Sequence, residues 1–367
     1  MRILYQKINS YIPLWCAIVF VLTIFSALIY LLCAIFEGFA EIINQISFPI
    51  RASVSFISSI FPFSVAELFI ILLPLWVGGL IILIFKLSKK GRRGSIKFLS
   101  ILASFFCLYF IFFVWTYASG YHVKPIEEKM GLDRDELSNQ DVYDATIILT
   151  DELNGLVDKI KFDESGASVM PYSYKELSNK ITEAYKKFSN ETALVSTFNS
   201  RVKPLIFSEL MMYTHLSGIY ICITSEANVN TRYPDYIVAS SAAHEMAHQR
   251  GVAREDETSF VAFLASTYSD DEFLRYSAFL DVYIELLIEL RKRDEGLYKS
   301  ARQLIDERII NDYNSFAKSF EKYSDSAASK VSDKINNTYL QANGDKDGTS
   351  SYSKVSELVC AYLTKQK

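Results

Sequence analysis

Histidine and cysteine are scarce in this chain of 367 residues, which holds four of the former and five of the latter. No Cys-x-x-Cys pair occurs, so the spacing disfavours a zinc site built from thiolates. Cys222 and Cys360 are the two cysteines outside the long apolar runs; they could form one bond but not a disulfide framework. A basic patch with interleaved aromatics is also missing beyond residue 120, and the net charge is −4. We therefore expect no nucleic-acid partner.

Long apolar runs, by contrast, dominate the first 120 residues. Three of them, at about residues 12–36, 68–86 and 98–119, approach the length of about 20 residues that a membrane-spanning helix needs. Buried core helices are the alternative, but these rarely run so far without a charged residue. The first run is too long for a signal-peptide core and has no small-residue cleavage site, so we expect it to be retained.

The distribution of charge predicts the orientation of these spans. The segment KLSKKGRRGSIK between the second and third runs carries six basic residues and no acid, which is typical of a cytoplasmic loop. Arg2 and Lys7 then place the N-terminus inside as well, whereas residues 37–67, with Arg51 as their one basic residue, face outward. We therefore predict a multi-pass membrane domain at 1–120, embedded in the lipid bilayer, and an outer domain at 121–367.

The outer part has mainly helical periodicity with one strand signal. A helix is predicted after Ser173, its candidate N-cap, and the run at 273–309 also has helical spacing. Alternation of apolar and polar residues over 219–224 indicates a half-buried strand. A further helix is predicted from about 236 to 249, ending near Gly251. The expected fold class is a mainly α, α+β domain with a small sheet beside that last helix.

The segment HEMAH lies on the predicted helix at 236–249. His244 and His248 are four residues apart, so both imidazoles can face one point on the same side of the helix. Glu245 is rotated by about 100° from His244, where it could act as a general base beside a metal-bound water. This pattern predicts a site for one Zn²⁺ ion. The alternative is a solvated helix face that matches the pattern by chance.

A catalytic zinc site needs a third protein ligand. Position 254, where an extended motif would place a third histidine, holds Arg254, so a carboxylate is expected instead. We favour Glu257, which begins the next apolar-periodic run, with Glu255 as the alternative ligand. A further possibility is that Glu255, Asp256 and Glu257 only place negative charge at the N-terminus of that helix.

Several segments in this order resemble a bacterial family known as domain of unknown function 3810. They are FPFSVAELF, EANVN, PDY, HEMAHQRGVAREDE and NTYLQANGDKDGTSSYSKV, and together they cover nearly the whole chain. The resemblance implies three N-terminal spans and an outer, zincin-like domain related to gluzincin-type metallopeptidases. It also implies zinc ligands at His244, His248 and Glu257, with Glu245 as the base, in the inner membrane of a bacterial cell.

These features lead to the hypothesis of a membrane-anchored zinc peptidase that cuts a peptide or protein outside the cytoplasm. The strand at 219–224 could pair with an extended substrate at its edge. Glu226, Asn228 and Asn230 are candidates for lining the cleft or supporting the histidines, or else they only stabilise a loop. Stabilisation of the transition state is expected from one of Tyr213, His215, Tyr220 and Tyr268.

Two other functions compete with that of a membrane-anchored zinc peptidase. An intramembrane protease is disfavoured because the charged segment HQRGVAREDE follows the motif directly and would be costly in lipid. A non-catalytic receptor or scaffold with a structural or vestigial zinc site is the other; such a site would close its fourth position with a protein ligand.

Overall fold

The computed structural model describes residues 11–135, 137–323 and 326–365, so Arg2 and Lys7 lie outside it. These residues are mainly helical, with one small sheet. The helices are α1 (Leu14–Ile35), α2 (Glu37–Ser59), α3 (Val65–Ile71), α4 (Leu73–Ser88), α5 (Arg92–Thr116), α6 (Ile126–Met130), α7 (Asn139–Leu156), α8 (Tyr174–Thr192), α9 (Ser208–Met212), α10 (Asp235–Gln249), α11 (Glu255–Thr267), α12 (Glu272–Arg293), α13 (Glu295–Arg302), α14 (Glu307–Phe320), α15 (Ala327–Ala342) and α16 (Val355–Lys365). The strands are β1 (Val202–Pro204), β2 (Gly218–Ile221) and β3 (Glu226–Val229).

Two helices near the N-terminus, α1 and α5, are long and apolar enough to cross a membrane. The predicted second run is not one straight helix: it is divided between α3 and α4, whose axes differ by 51°. Pro74 lies in the first turn of α4, and a proline cannot donate the backbone hydrogen bond that would continue the preceding helix. By length and composition the described residues thus contain two candidate spans, or three if the bent pair counts as one.

Helix α2 is an element that the sequence analysis did not predict. Its buried face is polar and includes Ser47, Ser55 and Arg51, which is only 1% exposed. Its opposite face carries exposed apolar side chains such as Ile42 and Phe56. The polar face contacts α10 and β3, so α2 connects the part of the chain after residue 120 to the apolar helices.

The sheet has the strand order β1-β3-β2, with β1 parallel and β2 antiparallel to β3. The strand predicted at 219–224 is observed as β2. It ends at Ile221, because the chain turns back at Ser225, whose φ is 48°. The residues expected to follow that strand form the central strand β3 instead. In the described residues β2 is an edge strand, and it packs against α10.

Helix α10 lies at the centre of the part of the chain after residue 120, between the sheet and helices α11 and α12. Its alanines, among them Ala239, Ala242 and Ala247, are fully buried and allow the neighbouring elements to approach closely. The predicted bounds of this helix are confirmed, and so is the Ser173 cap of α8, which forms a capping box.

Two other expectations change. The helical run predicted at 273–309 is divided among α12, α13 and α14, because Asp294 and Asp306 each cap a new helix. Cys222 and Cys360 are buried and free, and they lie in separate hydrophobic clusters.

Candidate metal centre

Helix α10 brings His244 and His248 together. Their Nε2 atoms lie 3.2 Å apart, as expected for residues separated by one helical turn. After Gln249 the chain turns at Gly251, whose φ of 94° favours glycine, and α11 then begins at Glu255. This tight connection places the start of α11 beside the two imidazoles.

Glu255 supplies the third donor atom of the cluster. Its Oε2 is 3.1 Å from His244 Nε2 and 3.4 Å from His248 Nε2. These three residues are the one group in the described ranges whose donor atoms lie close enough together to hold a metal ion. Glu255, which the sequence indicated as the alternative ligand, thus lies in the cluster, whereas the favoured Glu257 does not.

Glu257 points away from the imidazoles, which corrects the prediction that it is the third ligand. Its Oε1 accepts hydrogen bonds from the Ile126 backbone N–H and from Arg254, each at 2.9 Å. Two residues along a helix correspond to a rotation of about 200°, so Glu255 and Glu257 face opposite sides of α11. Asp256 pairs with Arg134 at 2.7 Å, so the three consecutive acids have three different partners.

The Nδ1 atoms of His244 and His248 lie within hydrogen-bond distance of groups outside the cluster. His248 Nδ1 is 2.8 Å from the Val252 carbonyl oxygen, which can only accept, so Nδ1 carries a proton and, in the neutral imidazole, Nε2 holds the lone pair. The Tyr117 hydroxyl, directly after α5, lies 2.9 Å from the same Nδ1. His244 Nδ1 is 3.0 Å from the Ser259 hydroxyl. Both imidazoles are thus oriented with Nε2 toward the cluster.

Electrostatics in the cluster favour a positive charge. Burial lowers and the Glu255 carboxylate raises the pKa of His248, with a net rise to about 9. Burial raises and the charge of His248 lowers the pKa of Glu255, with a net fall to about 2. The anionic Glu255 thus stabilises a positive charge at the point where the two Nε2 atoms converge, either as a proton on His248 or as a metal cation that replaces this proton.

Glu245 lies beside the cluster without joining it. Its carboxylate is buried against β2 and accepts a hydrogen bond from the Tyr220 backbone N–H. Burial raises the pKa of Glu245 to about 7, partly opposed by His244 and His248. The absence of a side chain at Gly218 makes room for it, because a Cβ there would lie 2.5 Å from Glu245 Oε1.

A cavity of about 1180 Å³ opens onto His244, Glu245, His248 and Glu255. Strand β2 forms one wall of it, and side chains from α5, α12 and α15 form others. The surface of this cavity is mainly apolar. Such a site can admit a ligand as large as an extended peptide segment.

Of the four residues considered for stabilising a transition state, His215 and Tyr220 line this cavity. The Tyr220 ring stacks on His248, with centroids 6.1 Å apart, and His215 Nε2 is 3.1 Å from the Tyr323 carbonyl oxygen. Tyr213 and Tyr268 pack elsewhere, against Tyr323 and Phe188 respectively.

Tyr352 is a residue that the sequence analysis missed. Its ring lies 6.4 Å from that of His244, and its hydroxyl is hydrogen-bonded to Glu255 and Asn336. It lies in a 3₁₀ helix at Gly348–Lys354, which packs on α11. The feature of the sequence that could have indicated Tyr352 was its position inside NTYLQANGDKDGTSSYSKV, one of the segments that resemble the family.

The three polar candidates beside the sheet have structural partners. Glu226 accepts hydrogen bonds from the Val65 and Ala66 backbone N–H groups at 2.9 and 3.0 Å, so it binds the N-terminus of α3. The Asn228 side chain donates to the Ile219 carbonyl at 3.1 Å, and that of Asn230 donates to the Leu216 carbonyl at 3.1 Å. These contacts agree with the alternative that they stabilise the local backbone.

The fold and site together define a mainly helical protein with apolar N-terminal helices and a His-His-Glu cluster in a deep cavity. A family model described as "Protein of unknown function (DUF3810)" matches residues 43–360, and the chain belongs to this family. Comparisons with curated proteins and with solved structures find no match. Inferences about activity therefore rest on the residues of the site.

Proposed function

We propose that the protein is a zinc-dependent peptidase anchored in the bacterial inner membrane by three spans, with α3 and α4 forming one bent span. The basic loop after α4 faces the cytoplasm, and the zincin-like outer domain cuts a peptide or protein on the other side. The observation that carries this proposal is the convergence of His244, His248 and Glu255 with Glu245 beside them.

The donor set fits zinc in both composition and spacing. Tetrahedral zinc with ligand bonds of about 2.0–2.1 Å requires donor atoms about 3.3 Å apart. The three donor–donor distances here are 3.1, 3.2 and 3.4 Å. Two imidazoles and one carboxylate are also a combination found in catalytic zinc sites. His244, His248 and Glu255 would therefore hold the ion.

When bound there, zinc would polarise a substrate carbonyl and activate water for attack on it. The protein's own contribution begins with Glu245, whose buried carboxylate accepts the proton that the attacking water loses. As the new C–O bond forms and the C–N bond breaks, Glu245 passes that proton to the leaving nitrogen. A general base of this kind typically contributes about 10²–10⁴-fold to the rate.

Substrate orientation is assigned to β2. This strand lines the cavity, and none of the described residues pairs with its outer edge. An extended peptide can add to such an edge through backbone hydrogen bonds, which hold its carbonyl carbon near the cluster. Tyr352, which lines the cavity and contacts Glu255, is proposed as the donor for the oxygen that becomes negative in the transition state.

The scaffold alternative is less well supported. A structural zinc site uses four protein ligands, but the described residues offer three donors. Glu257, the candidate for a fourth, is bound to Arg254 and to the Ile126 backbone instead. A fourth position left for water or substrate agrees better with catalysis than with a closed structural site.

The test uses the full-length protein purified in detergent, with metal measured by inductively coupled plasma mass spectrometry and hydrolysis by a fluorogenic peptide library. We expect one zinc per chain and activity in the wild type, zinc without activity in Glu245→Gln, and neither in His248→Ala. His122→Ala, which removes a histidine outside the cavity, should keep its zinc. A zinc-free wild type, or equal hydrolysis by wild type and Glu245→Gln, would refute the proposal.

A further inference from the structure

The cavity of the candidate metal centre extends as far as helix α5. Tyr109, which lies seven residues before the end of α5 at Thr116, lines the same cavity as His244 and Glu245. At 1.5 Å per residue this places Tyr109 about 10 Å from the end of that helix. One wall of the site is therefore a helix that is long and apolar enough to cross a membrane.

The position of Tyr109 relative to the bilayer follows from the charges. Lys97 is the last charged residue in α5, and the next 20 residues reach Tyr117. Twenty helical residues cover about 30 Å, which is the thickness of the hydrocarbon layer. In the proposed orientation Tyr109 thus lies below the outer boundary of that layer, and the cavity begins beside lipid.

The opposite rim is formed by helix α15. Val331, Ile335 and Tyr339 are four residues apart and form one apolar stripe along the cavity; Val331 is 59% and Ile335 65% exposed. Tyr339 packs against Phe113 of α5, with ring centroids 6.3 Å apart. Beyond residue 120, half of the large apolar side chains that the structure shows as exposed line this one cavity. The apolar rim is therefore continuous with the membrane-facing surface of α5.

Helix α2 independently places the outer domain at the bilayer surface. Its polar face is buried against that domain, while Ile42, Ile46, Phe56 and Ile57 are exposed on the other side. A helix with one apolar face open to the surroundings and one polar face is typical of the membrane interface. The outer domain thus rests on the membrane, with its cavity at the same level.

We infer that the substrate is presented from the membrane: it is the segment directly outside a transmembrane helix of another protein. This inference rests on the proposed peptidase function and adds the class of substrate. The anchor of the substrate lies against α5 and the stripe on α15, and its outer flank extends along β2 to the metal centre.

The structure also limits where such a substrate is cut. Tyr117 is the first residue after α5, and its hydroxyl is 2.9 Å from His248 Nδ1, so the cluster lies about two side-chain lengths from the end of the span. That distance is on the order of 15 Å, which an extended chain covers in about five residues. Cleavage is expected within about ten residues of the substrate's anchor.

The experiment reconstitutes the full-length protein in vesicles of phosphatidylcholine and phosphatidylglycerol. The probes are a randomised 20-residue segment joined to a polyleucine transmembrane helix, the same segment joined to a palmitoyl chain, and the free segment. We expect the helix-anchored library to be cleaved at least about 10-fold faster than the free one, with cut sites close to the anchor by mass spectrometry; this corresponds to about 1.4 kcal/mol.

Equal rates for the helix-anchored and free segments, or cut sites spread evenly along the segment, would overturn the inference and leave the peptidase standing. A larger gain for the palmitoyl anchor than for the helix would overturn it in favour of lipid-linked substrates. If wild type and Glu245→Gln cleave none of the probes, the peptidase function itself fails, and the inference with it.

Variants of the α15 stripe provide a test within one preparation. Val331→Asn and Ile335→Asn should each lower the ratio of anchored to free cleavage several-fold, because a polar rim no longer matches an apolar anchor. The ratio cancels any loss of folded enzyme. Leu304→Asn is the matched control, since Leu304 is 54% exposed but lies outside the cavity, and its ratio should equal that of the wild type. An unchanged ratio in both stripe variants would contradict the assigned route.

Discussion

Gly218→Ala tests whether Glu245 acts from the position that it occupies beside β2. The added Cβ would lie 2.5 Å from Glu245 Oε1 and 2.8 Å from its Cγ, whereas ordinary contacts of a Cβ begin at 3.4 Å. Gly218 is not among the residues with positive φ, so alanine fits the backbone of the strand. The clash must therefore be relieved by moving the Glu245 carboxylate, or β2 with it, by about 1 Å.

The size of the effect follows from this displacement. A misplacement of about 1 Å at a reacting group costs roughly 10²-fold in rate, or about 2.7 kcal/mol in the activation free energy. We expect kcat to fall about 100-fold for the peptide that the wild type cleaves fastest. The zinc content should not change, because a Cβ at position 218 meets only atoms of Glu245 within its closest contacts.

A double-mutant cycle separates this displacement from general damage to the sheet. Aspartate at position 245 is one methylene shorter, so Gly218→Ala in the Glu245→Asp background should cost only a few-fold. Gly155→Ala is the matched control, because a Cβ there has no heavy atom within 4 Å. An unchanged kcat in Gly218→Ala, or an equal loss in both backgrounds, would refute the placement of Glu245 as the base.

Three further outcomes follow from the contacts. Glu255→Gln should lose zinc whereas Glu257→Gln retains it, as measured by mass spectrometry; the reverse result would restore Glu257 as the ligand. Tyr117→Phe should weaken zinc binding by about 10-fold or more in competition with a chelator, because the hydroxyl contacts His248 Nδ1; equal affinities would show that this contact does not orient the ring. Arg51→Met removes the donor to buried carbonyls such as that of Gln249, so we expect the free energy of unfolding to fall by about 3 kcal/mol. Thermal unfolding in detergent measures this loss of stability. An unchanged midpoint would contradict the stabilising role of the guanidinium.

Local patterns in the sequence predict the centre of this site well. The helix that carries His244 and His248 was predicted to within one residue of its observed bounds, because Gly251, which ends it, acts over a few residues. The choice between Glu255 and Glu257 was harder, since an offset of two residues rotates a side chain by about 200°. The apolar period suggested a start at Glu257, but Glu257 pairs with Arg254 and it is Glu255 that lies beside the imidazoles.

Contacts between distant parts of the chain account for what the sequence did not predict. Glu226 follows a strand and precedes the histidine motif, yet its partners are backbone groups of Val65 and Ala66, about 160 residues earlier. Tyr352 reaches Glu255 from a segment with turn-like composition. Helix α2 has no long apolar run, and its polar face is buried by α10 and β3, which lie about 200 residues later in the chain.

Arg51 connects three helices: its own helix α2, the apolar helix α5 and the histidine-bearing helix α10. Its guanidinium donates to the Gln249 carbonyl at the end of α10, to the Thr116 carbonyl at the end of α5, and to Asn44 on its own helix. Tyr117, the next residue after Thr116, contacts His248 on the same helix α10. Cleavage of the chain near residue 120 would therefore separate α10 from the contacts that it receives from Arg51 and Tyr117, and residues 121–367 alone would lack this support for the helix that carries His244 and His248.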